Sequence, residues 1–366
     1  MQKSHLALDS ETKSIIAGAL NRFVKDVYEP VARRKRLNSP DVDYRAHWAT
    51  LAELGVLGLP FSPDYGGIGG GAHDVADALR VLAPGLLLEP LIEGTVIAGA
   101  VLGAGPDASA ALSELITGDV LTVLVGARRG DDLRCSISGD GFRLSGVARV
   151  VPGAAQADMW LIACVDEVGV SRVLRVRVRD VEARVNRYRM MDGREAADIT
   201  FGAGTVPLSA AWLEGQAAQA ALTEATARAV SAYGAEAVGV MQSLVSTTAE
   251  YLRTREQFGV PLSSFQALQH RLADMHMAAL DTRGVAHAMA KAIDEGQRDQ
   301  LAGLRYVVAT TVSRCGARVG HEAIQMHGGM GVTDELIVSH YNSRLVVLSK
   351  LLERWTQPAA INWSQS

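Results

Sequence analysis

The spacing of apolar positions changes twice along the chain. Up to about residue 119, apolar side chains recur three or four positions apart: Ile15, Ile16, Leu20, Phe23 and Val24 share one face, as do Trp48, Leu51, Leu54 and Val56. A helix brings such positions side by side, so residues 1–120 are expected to form a helical N-terminal domain. The run LPFSPDYGGIGGGA at 59–72, with two prolines and five glycines, breaks this pattern and reads as a turn. No Lys-Ser/Thr pair follows those glycines and no strand precedes a GxGxxG, so a plain turn is favoured over a phosphate cradle.

From 121 the period falls to two. Leu121, Val123 and Val125 alternate with their neighbours, and Val176 and Val178 alternate with Arg175, Arg177 and Arg179, as a half-exposed strand requires. Gly139, Asp140 and Gly141 mark a hairpin turn between two such strands, and residues 121–210 read as a small β domain. Helical spacing returns after Trp212, where Val230, Gly234, Val238, Met241, Val245 and Leu252 line one face of a long helix that Gly259-Val-Pro261 ends. Further helices are predicted over 265–290, 298–326 and 337–354, making 211–366 a C-terminal four-helix bundle. The fold class is therefore α+β, in the order helical, β, helical bundle, without repeats or low-complexity linkers.

Composition narrows the function. In 366 residues, 48% hydrophobic and 21% charged, there is apolar surface for more than one core, and disorder is excluded. A net charge of −4 leaves no basic excess for a nucleic-acid backbone, so no nucleic-acid partner is expected. Three dispersed cysteines, Cys135, Cys164 and Cys315, contain no CxxC pair; neither a disulfide framework nor a metal site is expected, and the compartment reads as reducing. Residues 1–10 carry Lys3, His5 and Asp9 in place of a secretory signal, and the apolar window 94–105 is too short to span a bilayer. A cytoplasmic protein with no membrane partner is expected.

Two motifs carry chemistry. In YLRTREQFGVPLSSFQALQHRLADM, at 251–275, Arg255 lies at the end of the long helix, three residues before Phe258 and four before a glycine, so a guanidinium and an aromatic ring project together. That pair suits a pyrophosphate and an adenine. Taken alone, RxxFG fits better with a solvated charged face and a core phenylalanine. In QMHGGMGVTDE, at 325–335, Gly328 and Gly329 permit close backbone approach to a phosphate and Gln325 offers an amide. His327 between them reads as a hydrogen-bonded structural residue without a catalytic role.

These two motifs, with the weaker WATLAELGVLGLPFSPDYGG at 48–67, resemble the acyl-CoA dehydrogenase family, and the resemblance covers essentially the whole chain. It implies a helical N-terminal domain, a β-barrel-like middle domain and a C-terminal four-helix bundle. It also implies FAD, an acyl-CoA substrate and an electron-transfer acceptor. The family's reaction removes the α-proton of an acyl thioester to a carboxylate while the β-hydrogen leaves as hydride to the flavin. By resemblance, Arg255, Gln257 and Phe258 hold the ADP half of FAD, with Gln266 on the next helix and Gln325, Gly328 and Gly329 beside them. In the family such residues reach across a dimer interface to a neighbour's flavin.

The sequence departs from the family where the flavin ring is seated. The serine-rich Thr-Glu-Pro-Gly-like loop is replaced by VLVGARRGDD at 123–132, and the Trp-Ile-Thr strand by Arg149-Val-Val-Pro152, which lacks a hydroxyl and an N–H. The family's catalytic glutamate, in a Tyr-Glu-Gly-Thr setting, maps to Glu353 within Leu352-Glu353-Arg354-Trp355, where Lys350 and Arg354 favour the ionised carboxylate. The family's other base position falls near Ala229, with Glu224 and Glu236 the nearest carboxylates on that helix. The retained half-site resembles the short subunits of actinobacterial heterotetrameric acyl-CoA dehydrogenases, which act on bulky esters such as steroid side chains beside a longer subunit that supplies the base. Two alternatives stay open: a self-associating dehydrogenase using Glu353, and a non-catalytic scaffold. A flavin monooxygenase or nitroalkane oxidase on the same fold is a further reading.

Overall fold

The computed structural model describes residues 8–39, 42–128, 130–202 and 204–356. Residues 1–7, which carry most of the sequence read for a signal, and Arg129 of the 123–132 segment lie outside the described residues. The helices are α1 Ser10–Val27, α2 Pro30–Leu37, α3 Trp48–Glu53, α4 Ala72–Leu82, α5 Ala98–Leu102, α6 Ala108–Ile116, α7 Gly215–Thr254, α8 Gln266–Asp294, α9 Arg298–His327 and α10 Ile337–Thr356. The strands are β1 Thr122–Val125, β2 Asp132–Ser138, β3 Gly141–Pro152, β4 Met159–Val165, β5 Ser171–Arg177, β6 Ala183–Arg189, β7 Glu195–Phe201, β8 Thr205–Pro207, β9 Ala211–Glu214, β10 Glu256–Gln257 and β11 Val260–Pro261. A helical N-terminus, a central mixed sheet and a C-terminal bundle are thus present in the expected order.

The chain divides into two compact units. One comprises the described residues of 8–42, 71–87 and 230–353, and its centre is α7 from Val230 onward. Residues 230–241 are buried on every side, with Glu236 the one charge among them. Gly239 is needed there for packing: a Cβ would lie 2.5 Å from the Ala83 Cβ and 2.8 Å from the Arg80 carbonyl. Lower on α7, Leu244 takes the core-facing place, and Val245, predicted on that face, is half-buried. Helix α7 stops at Thr254, earlier than the Gly259-Val-Pro261 stop predicted, because residues 256–261 fold into their own two-stranded hairpin.

The second unit comprises the described residues of 43–70, 88–229 and 354–356. Its mixed sheet runs β6-β7-β3-β2-β4-β5-β9, with β1 parallel to β4 and β8 antiparallel to β3. The predicted hairpin is present as β2–β3, and Gly139 adopts φ 63° at its turn. Strand β3 bulges against β7 between Ala148 and Val151, where Val150 takes φ 49°. A single π-helical stretch, Ile92–Ile97, packs on the sheet so closely that a Cβ on Gly94 would lie 2.6 Å from Leu121. Among the described residues no helix is long and apolar enough to cross a membrane.

Candidate functional site

The first cluster lies within the bundle unit. Arg255 follows the last residue of α7; its N–H donates to the Tyr251 carbonyl at 2.9 Å, and its own carbonyl accepts from Leu262 N–H at 2.8 Å. Strands β10 and β11 are joined by Phe258 and Gly259, with φ 53° and 78°, the signature of a type I′ hairpin turn. Phenylalanine is unfavourable in that region of φ, and here the turn holds its ring in solvent, 90% exposed. The Phe265 ring lies edge-on to it at 6.2 Å. Arg255, Gln257 and Gln266, which begins α8, are all exposed.

Helix α9 ends beside this hairpin. The His327 ring stacks on Tyr251 with centroids 4.2 Å apart, and the Tyr251 hydroxyl donates to the His327 carbonyl at 3.5 Å. This contact connects the start of the hairpin to the glycine loop. His327 Nδ1 lies 2.8 Å from the Ala323 carbonyl and must carry the proton there. Burial holds its pKa below the ordinary imidazole value, so it stays neutral and serves packing. Gly328 adopts φ 61°, ψ −145°, a region essentially reserved for glycine, and a Cβ on Gly328 or Gly329 would meet nothing within 4 Å. Both glycines and Gln325 are solvent-exposed. The loop therefore offers open backbone, as a phosphate-binding stretch requires.

The second cluster lies in the sheet unit, around residues 149–152. Asp131, fully buried, accepts from Arg128 N–H at 3.1 Å, from Arg149 N–H at 2.9 Å and from Arg354 Nη2 at 2.8 Å. The Val150 N–H donates to Asp198 Oδ1 at 2.8 Å, and the Tyr188 hydroxyl donates to the same oxygen at 2.9 Å. Burial, with Asp198 as the next cause, pushes the Tyr188 pKa up to about 12, so this phenol remains a donor. Arg128 Nη1 donates to the Val150 carbonyl at 3.0 Å, and Arg354 Nη1 donates to the carbonyls of Arg149 and Val150. Arg128 also lies over the Trp355 ring, 5.8 Å from its centroid. Sequence reasoning named the two segments but missed Asp131, Asp198 and Tyr188; the adjacent Arg-Arg and Asp-Asp pairs at 128–132 were the available signal.

The candidate carboxylates are engaged elsewhere. Glu353 stands on the exposed side of α10, its side chain 47% accessible, with Lys350 Nζ 3.2 Å from Oε2. Glu224 pairs with Arg228 at 2.6 Å. Glu236 is buried and held by both arms of Arg344, at 2.9 and 2.6 Å.

Family models decide the kinship: "Acyl-CoA dehydrogenase, N-terminal domain" matches residues 10–108 and "Acyl-CoA dehydrogenase, C-terminal domain" matches residues 212–349. The chain belongs to the acyl-CoA dehydrogenase family. Among its relatives, acyl-CoA dehydrogenase FadE27 of Mycobacterium tuberculosis is 27% identical over 353 residues, 91% of each chain. Acyl-CoA dehydrogenase IpdE2 of Mycolicibacterium smegmatis is 27% identical over 349 residues, 94% of this chain and 95% of its own. Of solved structures, the ChsE4–ChsE5 complex from Mycobacterium tuberculosis shares the fold at a TM-score of 0.83 and 23% identity, covering 95% of each chain. A variant of the Tcur3481–Tcur3483 steroid ACAD superposes at 0.84 and 24% identity, covering 94% of this chain and 95% of its own.

An acyl-CoA dehydrogenase uses FAD, and FAD is the cofactor of this enzyme class. The two halves of that cofactor meet different receptions here. Around the hairpin the residues fit an ADP moiety: an exposed guanidinium, an outward-facing ring and a glycine loop with open backbone. Around 149–152 they do not fit a flavin ring, because Pro152 has no N–H and the N–H groups of Arg149 and Val150 are bonded to Asp131 and Asp198.

Proposed function

We propose that this chain is one subunit of a heteromeric acyl-CoA dehydrogenase, completing the FAD site of a longer partner that performs the α,β-desaturation of a bulky acyl-CoA thioester. The observation that carries the reading is the exposed Phe258 hairpin beside the open Gly328-Gly329 backbone. In the single chain these residues face solvent. Arg255 binds the pyrophosphate, Phe258 stacks on the adenine, and Gln257, Gln266, Gln325, Gly328 and Gly329 line the same half-site. FAD held there would supply the hydride acceptor for the β-hydrogen. The α-proton goes to a carboxylate of the partner, since Glu353 is solvated beside Lys350 and Glu236 is tied to Arg344. The steroid dehydrogenase and the two-component complex among the structural relatives support a bulky, ring-containing acyl group and an unequal pair of subunits. An electron-transfer protein then reoxidises the flavin.

Flavin content tests the reading. Co-expressed with a longer homologue, the assembly is expected to carry FAD, and Arg255→Ala is expected to lower its retention by about tenfold or more, the loss of one charge-assisted contact to phosphate. Unchanged flavin content and activity in that variant would leave the chain a scaffold. Full dehydrogenase activity of the chain alone would instead make it autonomous.

A further inference from the structure

We infer that this chain has closed the seat for a flavin ring of its own, and that Arg354 is the bolt. The inference rests on the half-site reading above and adds what has become of the other half. In the family a strand at 149–152 offers hydrogen-bond donors to the ring, and the segment after the catalytic glutamate carries a glycine. Here that glycine position is Arg354, and its guanidinium donates to the carbonyls of Arg149 and Val150. The two segments that would embrace the ring are thus bonded to each other.

Three of the four residues at 149–152 have no N–H to spare. Arg149 N–H is held by Asp131 and Val150 N–H by Asp198, while Pro152 has no N–H to give. The Val150 carbonyl accepts from Arg128 as well as Arg354. Asp131 anchors the arrangement, fully buried and receiving three donors, one of them from Arg354. A planar ring entering this place would have to displace the Arg354 guanidinium, 16% exposed, from the fully buried Asp131 carboxylate and from the carbonyls of Arg149 and Val150, which disfavours entry. The positive φ of Val150 and the bulge at Ala148/Val151 turn the backbone towards these internal partners.

Riboflavin, which has the ring and lacks the ADP half, reads this seat alone. Titrated into the full chain with flavin fluorescence as the signal, it is expected to show no saturable quenching; saturation at one riboflavin per chain would overturn the closure. The double variant Arg354→Gly, Pro152→Thr removes the bolt and returns a donor, and is expected to gain saturable quenching while a circular dichroism melt shows it folded. A folded double variant with no gain would overturn the role given to Arg354. Should that variant not fold, the flavin count of the assembly with its longer partner decides: one FAD per pair of unlike chains is expected, and one per chain overturns the inference. The half-site reading fails separately, on undiminished flavin in Arg255→Ala, a variant that leaves the closed seat untouched.

Discussion

At the scale of single residues, what separates a working base from a surface carboxylate is its surroundings. Glu353 has the family's position, yet its side chain is 47% accessible and lies 3.2 Å from the Lys350 ammonium. Glu353→Gln is expected to leave the turnover of the assembled enzyme within about twofold of wild type and to cost about 0.2–0.5 kcal/mol through the lost pair with Lys350. A collapse in turnover would return the base to this chain. His327 gives the opposite case of a titratable group held neutral. Its folded pKa lies below the ordinary 6.5, so between those two values the unfolded chain binds a proton that the folded chain does not. Stability should therefore fall as pH drops below about 6.5, and His327→Gln should flatten that slope in melts taken from about pH 7 to pH 5. The sequence marked His327 as structural, but its tautomer and its stacking on Tyr251 depend on Ala323 and on a residue 76 positions away.

Among the elements, the hairpin β10–β11 shows a local cost accepted for function. A type I′ turn favours Asn-Gly, and this one reads Phe258-Gly259. Phe258→Asn relieves a disfavoured φ and is expected to raise stability by about 0.5–1 kcal/mol in urea unfolding. Under the proposed function the same change removes an adenine-stacking ring, and flavin retention by the assembly should fall; a variant that gains stability and keeps its flavin would remove Phe258 from the site. The helices were readable because their periodicity is long: 265–290, 298–326 and 337–354 were expected, and Gln266–Asp294, Arg298–His327 and Ile337–Thr356 are found. The hairpin was not, since four strand residues carry no period and the sequence suggested only a helix stop. The bulge in β3 was equally hidden, because it is imposed by Asp131 and Asp198 from outside the strand.

Over the whole molecule, buried charge follows one rule in both units: it is retained where every member has a partner. In the bundle unit Arg344 and Glu236 meet through two short bonds 108 residues apart in sequence. Arg344→Met would leave a buried carboxylate alone and is expected to destabilise the chain by about 3–5 kcal/mol, measured by urea unfolding, whereas Arg344→Met with Glu236→Leu should recover much of the loss. The order of helical, β and helical segments could be read from periodicity. The cluster around Asp131 could not, because Arg354 reaches it across 223 residues. That cluster also sets a direction on descent. Replacing Arg354 alone strips a donor from a buried carboxylate, and replacing Pro152 alone leaves the guanidinium in place, so neither single step restores the ring site and the first weakens the fold. Opening the segment again therefore takes at least two coordinated substitutions, and the buried carboxylate opposes the first of them.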